Sequence, residues 1–389
     1  KKQIKTGLVV DGNGILRQVT VLDGNESDST WNTHSIQELK TQLGDETELN
    51  VYIADSKLVS LPNLKKINEG DTVLKFISLV PANFYHKVSA KIRKQAYESD
   101  SWKNVGKCCE NENFNDRAEY ALISFPEDIE GKKCRLIAVK STKTVKNVEH
   151  KVQTEKSDLI TLAEKAFPED FKCLPDAEGA IRKFQKTKKT ALFQIDFEIV
   201  PIEKEKKFRG RKPKEGRPKE FTIEYKVVIK EVIPDKGRIE ALKRKEGSFV
   251  LITNVPEEEL TDREILIKYK KQGIVERSFS RLKRPMMADT IFLKTPKRIE
   301  ALLAFVYIAL MFQSIMQAFA RYRVMKIQNL PKIKYAKRKL ENPTYELIAY
   351  LLEPFVLISV EKPIEISCKV PEIEEYMELF LYLIDAQDC

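Results

Sequence analysis

The sequence predicts an α/β fold with a mixed sheet, interrupted by a β-rich insertion and followed by a helical C-terminal part. Three observations lead there. The first eighty residues alternate hairpin, helix, strand, helix, strand. A strand-to-helix pattern resumes at Ser248. Between them lie strand-like apolar runs separated by charged segments. Four segments follow: 1–80 and 248–325 as two parts of one core, 81–247 as the insertion, and 326–389 as the C-terminal region. A chain of 389 residues is long enough for such an arrangement of roughly two to three domains.

Ile4–Val10 alternates as a strand, Asp11-Gly12-Asn13-Gly14 supplies a tight turn, and Ile15–Leu22 returns. The polar loop Asp23–Ser29 precedes a helix over Trp31–Leu43. Leu49–Ala54 is a short apolar strand that ends at Asp55, and Leu61–Glu69 is a helix leading through Gly70 to a strand at Thr72–Leu79. In the insertion, strands are expected at Glu119–Phe125, Cys134–Val139, Ala191–Pro201 and Phe221–Val232, with one helix at Ser157–Phe167. Ser248–Asn254 is again a strand. One long helix is expected from Thr261 to Lys283 and another from Pro296 to Val324, with helical segments at Pro343–Glu353 and Glu372–Ile384. The apolar run Ala301–Phe312 is twelve residues, short of the roughly 18–20 that cross a bilayer, and reads as a buried core helix rather than a membrane span.

The net charge of +10 is unevenly spread. Residues 202–220 carry nine Lys/Arg against four Glu, and 261–284 carry eight against three acidic residues. Residues 341–389 carry two against eleven. Two basic segments point to a polyanion partner, nucleic acid being the common one; solvated helix surfaces are the alternative. Six cysteines, two adjacent (Cys108 and Cys109) and four scattered, and three distant histidines (His34, His86, His150) lack zinc-ligand spacing, and free thiols fit a reducing cytoplasm.

Two places carry candidate chemistry. Asp55 lies at the carboxyl end of a strand, where open α/β sheets place ligands, although an Asp there also commonly caps the next turn. On a continuous helix, Tyr269, Gln272, Glu276 and Lys283 would fall at about 0°, 300°, 340° and 320°, a single polar stripe. Arg277, Arg281 and Arg284 add charge, and Ile274, Phe279 and Leu282 offer packing. An amphipathic helix with an incidental stripe is the competing interpretation. A third place is the Lys206–Lys219 loop, where Arg209, Arg211, Lys212 and Arg217 sit among Gly and Pro. It resembles the minor-groove-reading AT-hook, while a solvated loop or simple phosphate contact serves the composition as well.

The helix resembles the signature of the insertion-sequence-4 group of DDE transposases: Tyr, two residues, Arg, three residues, Glu, six residues, Lys. IVERSFSRLK is similar to that group's Glu-bearing helix, VYIADSKLVSLPNLKKI to its second-aspartate segment, and VVDGNGILRQVTVLDGNESD to the hairpin and GN-x-SD loop. The insertion-sequence-1634 branch is the most similar. The resemblance implies a ribonuclease-H-like catalytic core split by a β-rich insertion, and 220 residues do separate Asp55 from Glu276. It implies metal-dependent cleavage at transposon ends and strand transfer into target DNA, with Asp55 and Glu276 as two of three ligands to a pair of Mg²⁺ or Mn²⁺ ions. Tyr269 and Lys283 would hold phosphates, and Gln272 stands where the group has Arg. The partners implied are double-stranded DNA and a second copy in a homodimer, in the cytoplasm at the nucleoid. The group's first Asp lies on a strand before the hairpin, and this chain begins about where that strand should end. A remnant that only binds DNA is therefore the alternative expectation.

Overall fold

The computed structural model describes residues 4–43, 51–70, 73–108, 118–187, 192–205, 221–283, 293–326 and 342–352. In chain order the elements are β1 (Ile4–Val10), β2 (Leu16–Asp23), α1 (Asp28–Leu43), β3 (Val51–Ala54), α2 (Leu61–Asn68), β4 (Lys75–Leu79), α3 (Val88–Ser99) and β5 (Lys103–Lys107). There follow β6 (Glu119–Ile129), β7 (Lys132–Ser141), α4 (Thr142–Ala166), α5 (Leu174–Thr187), β8 (Phe193–Glu205), β9 (Phe221–Pro234) and α6 (Lys236–Glu246). The last are β10 (Ser248–Thr253), α7 (Asp262–Lys270), α8 (Gly273–Lys283), α9 (Pro296–Lys326) and α10 (Tyr345–Leu352). The fold is mixed α/β, as the sequence predicts. The chain divides into two compact units, residues 1–41 with 268–389, and residues 42–267. These units cut the chain differently from the four segments read from sequence.

In the first unit, β1 and β2 form an antiparallel hairpin that pairs with no other strand among the described residues. Its turn is built by Asp11, whose Oδ1 accepts hydrogen bonds from Asn13 N at 2.9 Å and Ile15 N at 3.0 Å. Gly14 follows at φ +84°, a left-handed backbone that a side chain would strain. At the far end, Ser27 Oγ accepts from Thr30 N at 3.1 Å and starts α1. The hairpin buries Leu8 and Leu16 against Leu282 of α8 and Leu310 of α9, with Phe279, Val306 and Tyr307 around them.

Helix α9 departs from the expected buried core helix. One stripe, Leu303, Leu310, Ser314, Gln317, Ala320 and Val324, is buried. The opposite face leaves Phe305 74% and Phe312 59% exposed. By length and composition alone this helix would pass for a membrane span. Its buried stripe nevertheless carries polar groups spent on protein contacts: Ser314 Oγ accepts from Leu16 N at 3.2 Å.

The second unit holds a six-stranded sheet in the order β3-β4-β10-β7-β6-β5. Only β3 and β4 are parallel; the remaining neighbours are antiparallel, so the sheet is mixed. Its centre is apolar on both faces: Phe76, Ile77, Leu136, Ile137, Leu251 and Ile252 are fully buried. Side chains continue the ladder past the end of β10. Asn254 accepts from Phe76 N at 2.9 Å and donates to Leu74 O at 3.0 Å, while Thr253 Oγ1 donates to Phe76 O at 2.7 Å.

The stretch 81–247, expected to be strand-rich, carries four helices beside five strands among its described residues. Strands β6 and β7 pair into the same sheet as β4 and β10, whereas β8 and β9 make a separate long hairpin. That hairpin packs Phe193 and Ile195 against Leu159 and Ala163 of α4.

Candidate functional site

Asp55 follows β3 at the carboxyl end of the parallel pair. The register sets Ala54 beside Ser78, and Ser78 Oγ donates to Asp55 O at 2.6 Å, fixing this edge of the sheet. Asp55 also caps the 3₁₀ turn Ser56–Leu58, its Oδ1 accepting from Lys57 N at 3.0 Å. The turn-capping role and the exposed position coexist, because Oδ2 has no hydrogen-bond partner among the described residues.

Glu276 stands in the first turn of α8, exposed, with no ion pair among the described residues. The helix carrying it is not the single Thr261–Lys283 helix that the sequence predicts. It breaks at Lys271–Gln272, between α7 and α8. The backbone there tightens into three-residue steps: Lys271 N to Lys268 O at 3.1 Å, Gln272 N to Tyr269 O at 3.2 Å, and Ile274 N to Lys271 O at 2.8 Å. Gly273, a poor helix former, sits at the junction. The single stripe that the sequence predicts is therefore interrupted before Glu276. Tyr269 belongs to α7 and Gln272 to the break, and both are half-buried. Asp55 lies in one compact unit and Glu276 in the other.

The hairpin positions α8. Gly14 in the β1–β2 turn lies against Ile274, where a Cβ would stand 3.1 Å from Ile274 Cγ2. Phe279 and Leu282 seat the other face of α8 on the hairpin core, the packing role the sequence gives them.

Around Glu276 the charge is dominated by arginines. Arg277 lies next to it and Arg281 one turn on, and both are close enough to Arg321 of α9 to act on it electrostatically. Burial, then the positive charge of Arg281, pushes the Arg277 pKa down, while Glu276 pulls it back up. Burial again, then Arg277 and Arg281, lowers that of Arg321. Arg281 donates to Gln317, and its Nε lies 3.5 Å from Glu346 of α10. Gln317 and Arg321, one turn apart on α9, and Glu346 escape sequence reasoning. Two polar residues spaced by four in an apolar helix were the available signal. Arg209, Arg211, Lys212 and Arg217 lie outside the described residues.

A family model described as a transposase DDE domain matches residues 1–312. The chain belongs to this family. No curated protein matches it by sequence.

The match covers the β1–β2 hairpin, β3 with Asp55, the six-stranded sheet and α8 with Glu276, so the transposase domain includes all of the second unit and part of the first. Asp55 and Glu276 are hard oxygen donors of the kind Mg²⁺ and Mn²⁺ take. Among the described residues, however, no three Asp, Glu, His or Cys side chains come together. The donor type fits a divalent ion and the donor number does not complete a site. What the transposase presents here is one exposed carboxylate at a sheet edge and one exposed carboxylate beside Arg277.

Proposed function

We propose that this chain is the catalytic transposase of a cut-and-paste element in the insertion-sequence-4 group, cleaving at transposon ends and joining them to target DNA. The observation that carries this is the family match over residues 1–312, which takes in both Asp55 and Glu276. Its alignment with the core-splitting insertion of that group rests on the spacing between those carboxylates. When bound, a pair of Mg²⁺ or Mn²⁺ ions supplies nucleophile activation and leaving-oxygen stabilisation.

The chain's own residues have separate tasks. Asp55 and Glu276 offer carboxylate oxygens to cations. Tyr269, Gln272 and Lys283 hold phosphates of the transposon end. Gln272 grips by a neutral amide where an Arg would grip by two charged hydrogen bonds, so this contact is the weaker one. Arg277 and Arg281 raise the local positive potential, and Arg209, Arg211, Lys212 and Arg217 reach along the duplex. The working form is a homodimer on paired ends, at the nucleoid in the cytoplasm.

The test uses duplexes carrying the terminal inverted repeats that flank the coding sequence, with Mg²⁺ or Mn²⁺. Nicking at the repeat ends followed by joined products supports the proposal; nicking without joining would make the chain a nuclease. A second reading, a transposase relative that binds DNA without cutting it, is favoured by the absence of a three-donor cluster among the described residues. Repeat-specific binding without metal-dependent cleavage would decide for it.

A further inference from the structure

Helices α8, α9 and α10 bring together a charge arrangement that the ligands named above do not use up. Arg277 and Arg281 stand one turn apart on α8, and Arg321 faces them from α9. Arg281 is held by Gln317, a 5% exposed amide whose Oε1 accepts both from Arg281 and from Tyr345 N, the latter at 3.1 Å. Arg321 Nε donates to Pro343 O at 3.1 Å. Glu346 then sets its carboxylate 3.5 Å from Arg281 Nε. Three like charges, partly desolvated and in mutual repulsion, are thus met by Glu276 beside Arg277, by the 62% exposed carboxylate of Glu346 at Arg281, and by the backbone carbonyl oxygen of Pro343 at Arg321. Guanidinium groups held in place by an amide behave as an oxyanion receptor, because their donors are already aimed and only the acceptor changes.

We propose that Arg277, Arg281 and Arg321 form a phosphate-binding site for a nucleic-acid backbone, and that Glu346 at the start of α10 occupies it as an internal stand-in for the phosphate. The proposal deepens the transposase reading, on which its choice of ligand rests. Arg321 becomes a binding residue contributed by α9, and the α10 segment becomes a competitor of DNA. A backbone phosphate that enters displaces the Glu346 carboxylate, and the Gln317 amide keeps Arg281 in position throughout.

The experiment measures binding of a short labelled duplex of arbitrary sequence to the full-length chain, without added metal, across a range of salt. Glu346→Gln keeps the size and hydrogen-bonding capacity of the side chain and removes its charge. It is expected to bind roughly three- to tenfold more tightly than the unaltered chain. Arg321→Ala is expected to bind more weakly and to lower the slope of log K against log salt by about one, with Arg321→Lys recovering most of that slope. Equal or weaker binding by Glu346→Gln would overturn the proposal, whatever the fate of the arginine variants. So would an Arg321→Ala protein that melts normally and keeps the original salt slope. Because no cleavage is measured, failure here leaves the transposase reading standing, and failure of metal-dependent cleavage does not bear on this result.

Discussion

Replacing Arg135 by Ala removes the tether that holds the approach to α7. Arg135 Nη1 lies 2.9 Å from Asp262 Oδ1, and Nη2 donates to Val255 O at 3.1 Å and Leu260 O at 2.6 Å. Both charged side chains are nearly enclosed, 12% and 14% exposed. The substitution strands a carboxylate and two carbonyl groups together. Breaking a buried pair from one side costs about 3–5 kcal/mol, and residual water access places this site near the lower end, about 3 kcal/mol. Asp262→Asn keeps an acceptor for Arg135 and loses only charge, so about 1–2 kcal/mol is expected. The assay is urea unfolding followed by fluorescence of Trp102 in a Trp31→Phe background, since the chain has only these two tryptophans. Trp102 sits in the same compact unit, edge-on to Tyr97 and beneath Lys140. A double-mutant cycle should give a coupling of about 1–2 kcal/mol. A loss below about 1 kcal/mol for Arg135→Ala would refute the reasoning, because it would mean that neither the carbonyl groups nor Asp262 depend on the guanidinium.

Gly7→Ala should destabilise the first unit by about 1–3 kcal/mol, since a Cβ there would fall within the Trp31 indole; unchanged melting monitored by Trp31 fluorescence would contradict the contact. The Cys134 thiol is pushed up from 9.0 to about 11, chiefly by burial and then by Asp128. Its folded pKa is above the unfolded one, so the associated stability is fully present below pH 9 and lost as pH rises through about 11, amounting to about 2–3 kcal/mol. At pH 8, iodoacetamide should modify Cys134 roughly a hundredfold more slowly in the folded chain than in urea, and equal rates by mass spectrometry would count against it.

Where local chemistry and packing agreed, the sequence was legible. The β1–β2 hairpin follows from alternation and from an Asp-Gly-Asn-Gly turn whose Asp11 side chain closes it. Strand β3 ending at Asp55, and β4, β10, β8 and β9, follow from short β-branched or aromatic runs. Less legible were elements held by tertiary contacts or by nothing apolar. Helix α6 has no buried residue, so no stripe marks it; Asp235 starts it by accepting from Arg238 N at 3.0 Å. The first half of α4 buries only Val148 and is nucleated by the reciprocal Ser141–Thr144 cap. Gly273 marks the break between α7 and α8, where the sequence pattern predicts one continuous helix. Asp55 and Glu276 are singled out as candidates by their neighbours in sequence. Arg321, Gln317 and Glu346 are not, because their meeting depends on how α8, α9 and α10 pack.

The proposed function makes Glu276 and Asp55 the cation-holding carboxylates of a DNA-cutting transposase. Glu276→Gln and Asp55→Asn each preserve side-chain size, and neither residue is buried. With Mg²⁺ and terminal-repeat duplexes, both variants should lose strand cleavage by at least about a thousandfold while binding the duplex within about threefold of the unaltered chain. Cleavage at the original rate in either variant would contradict the account.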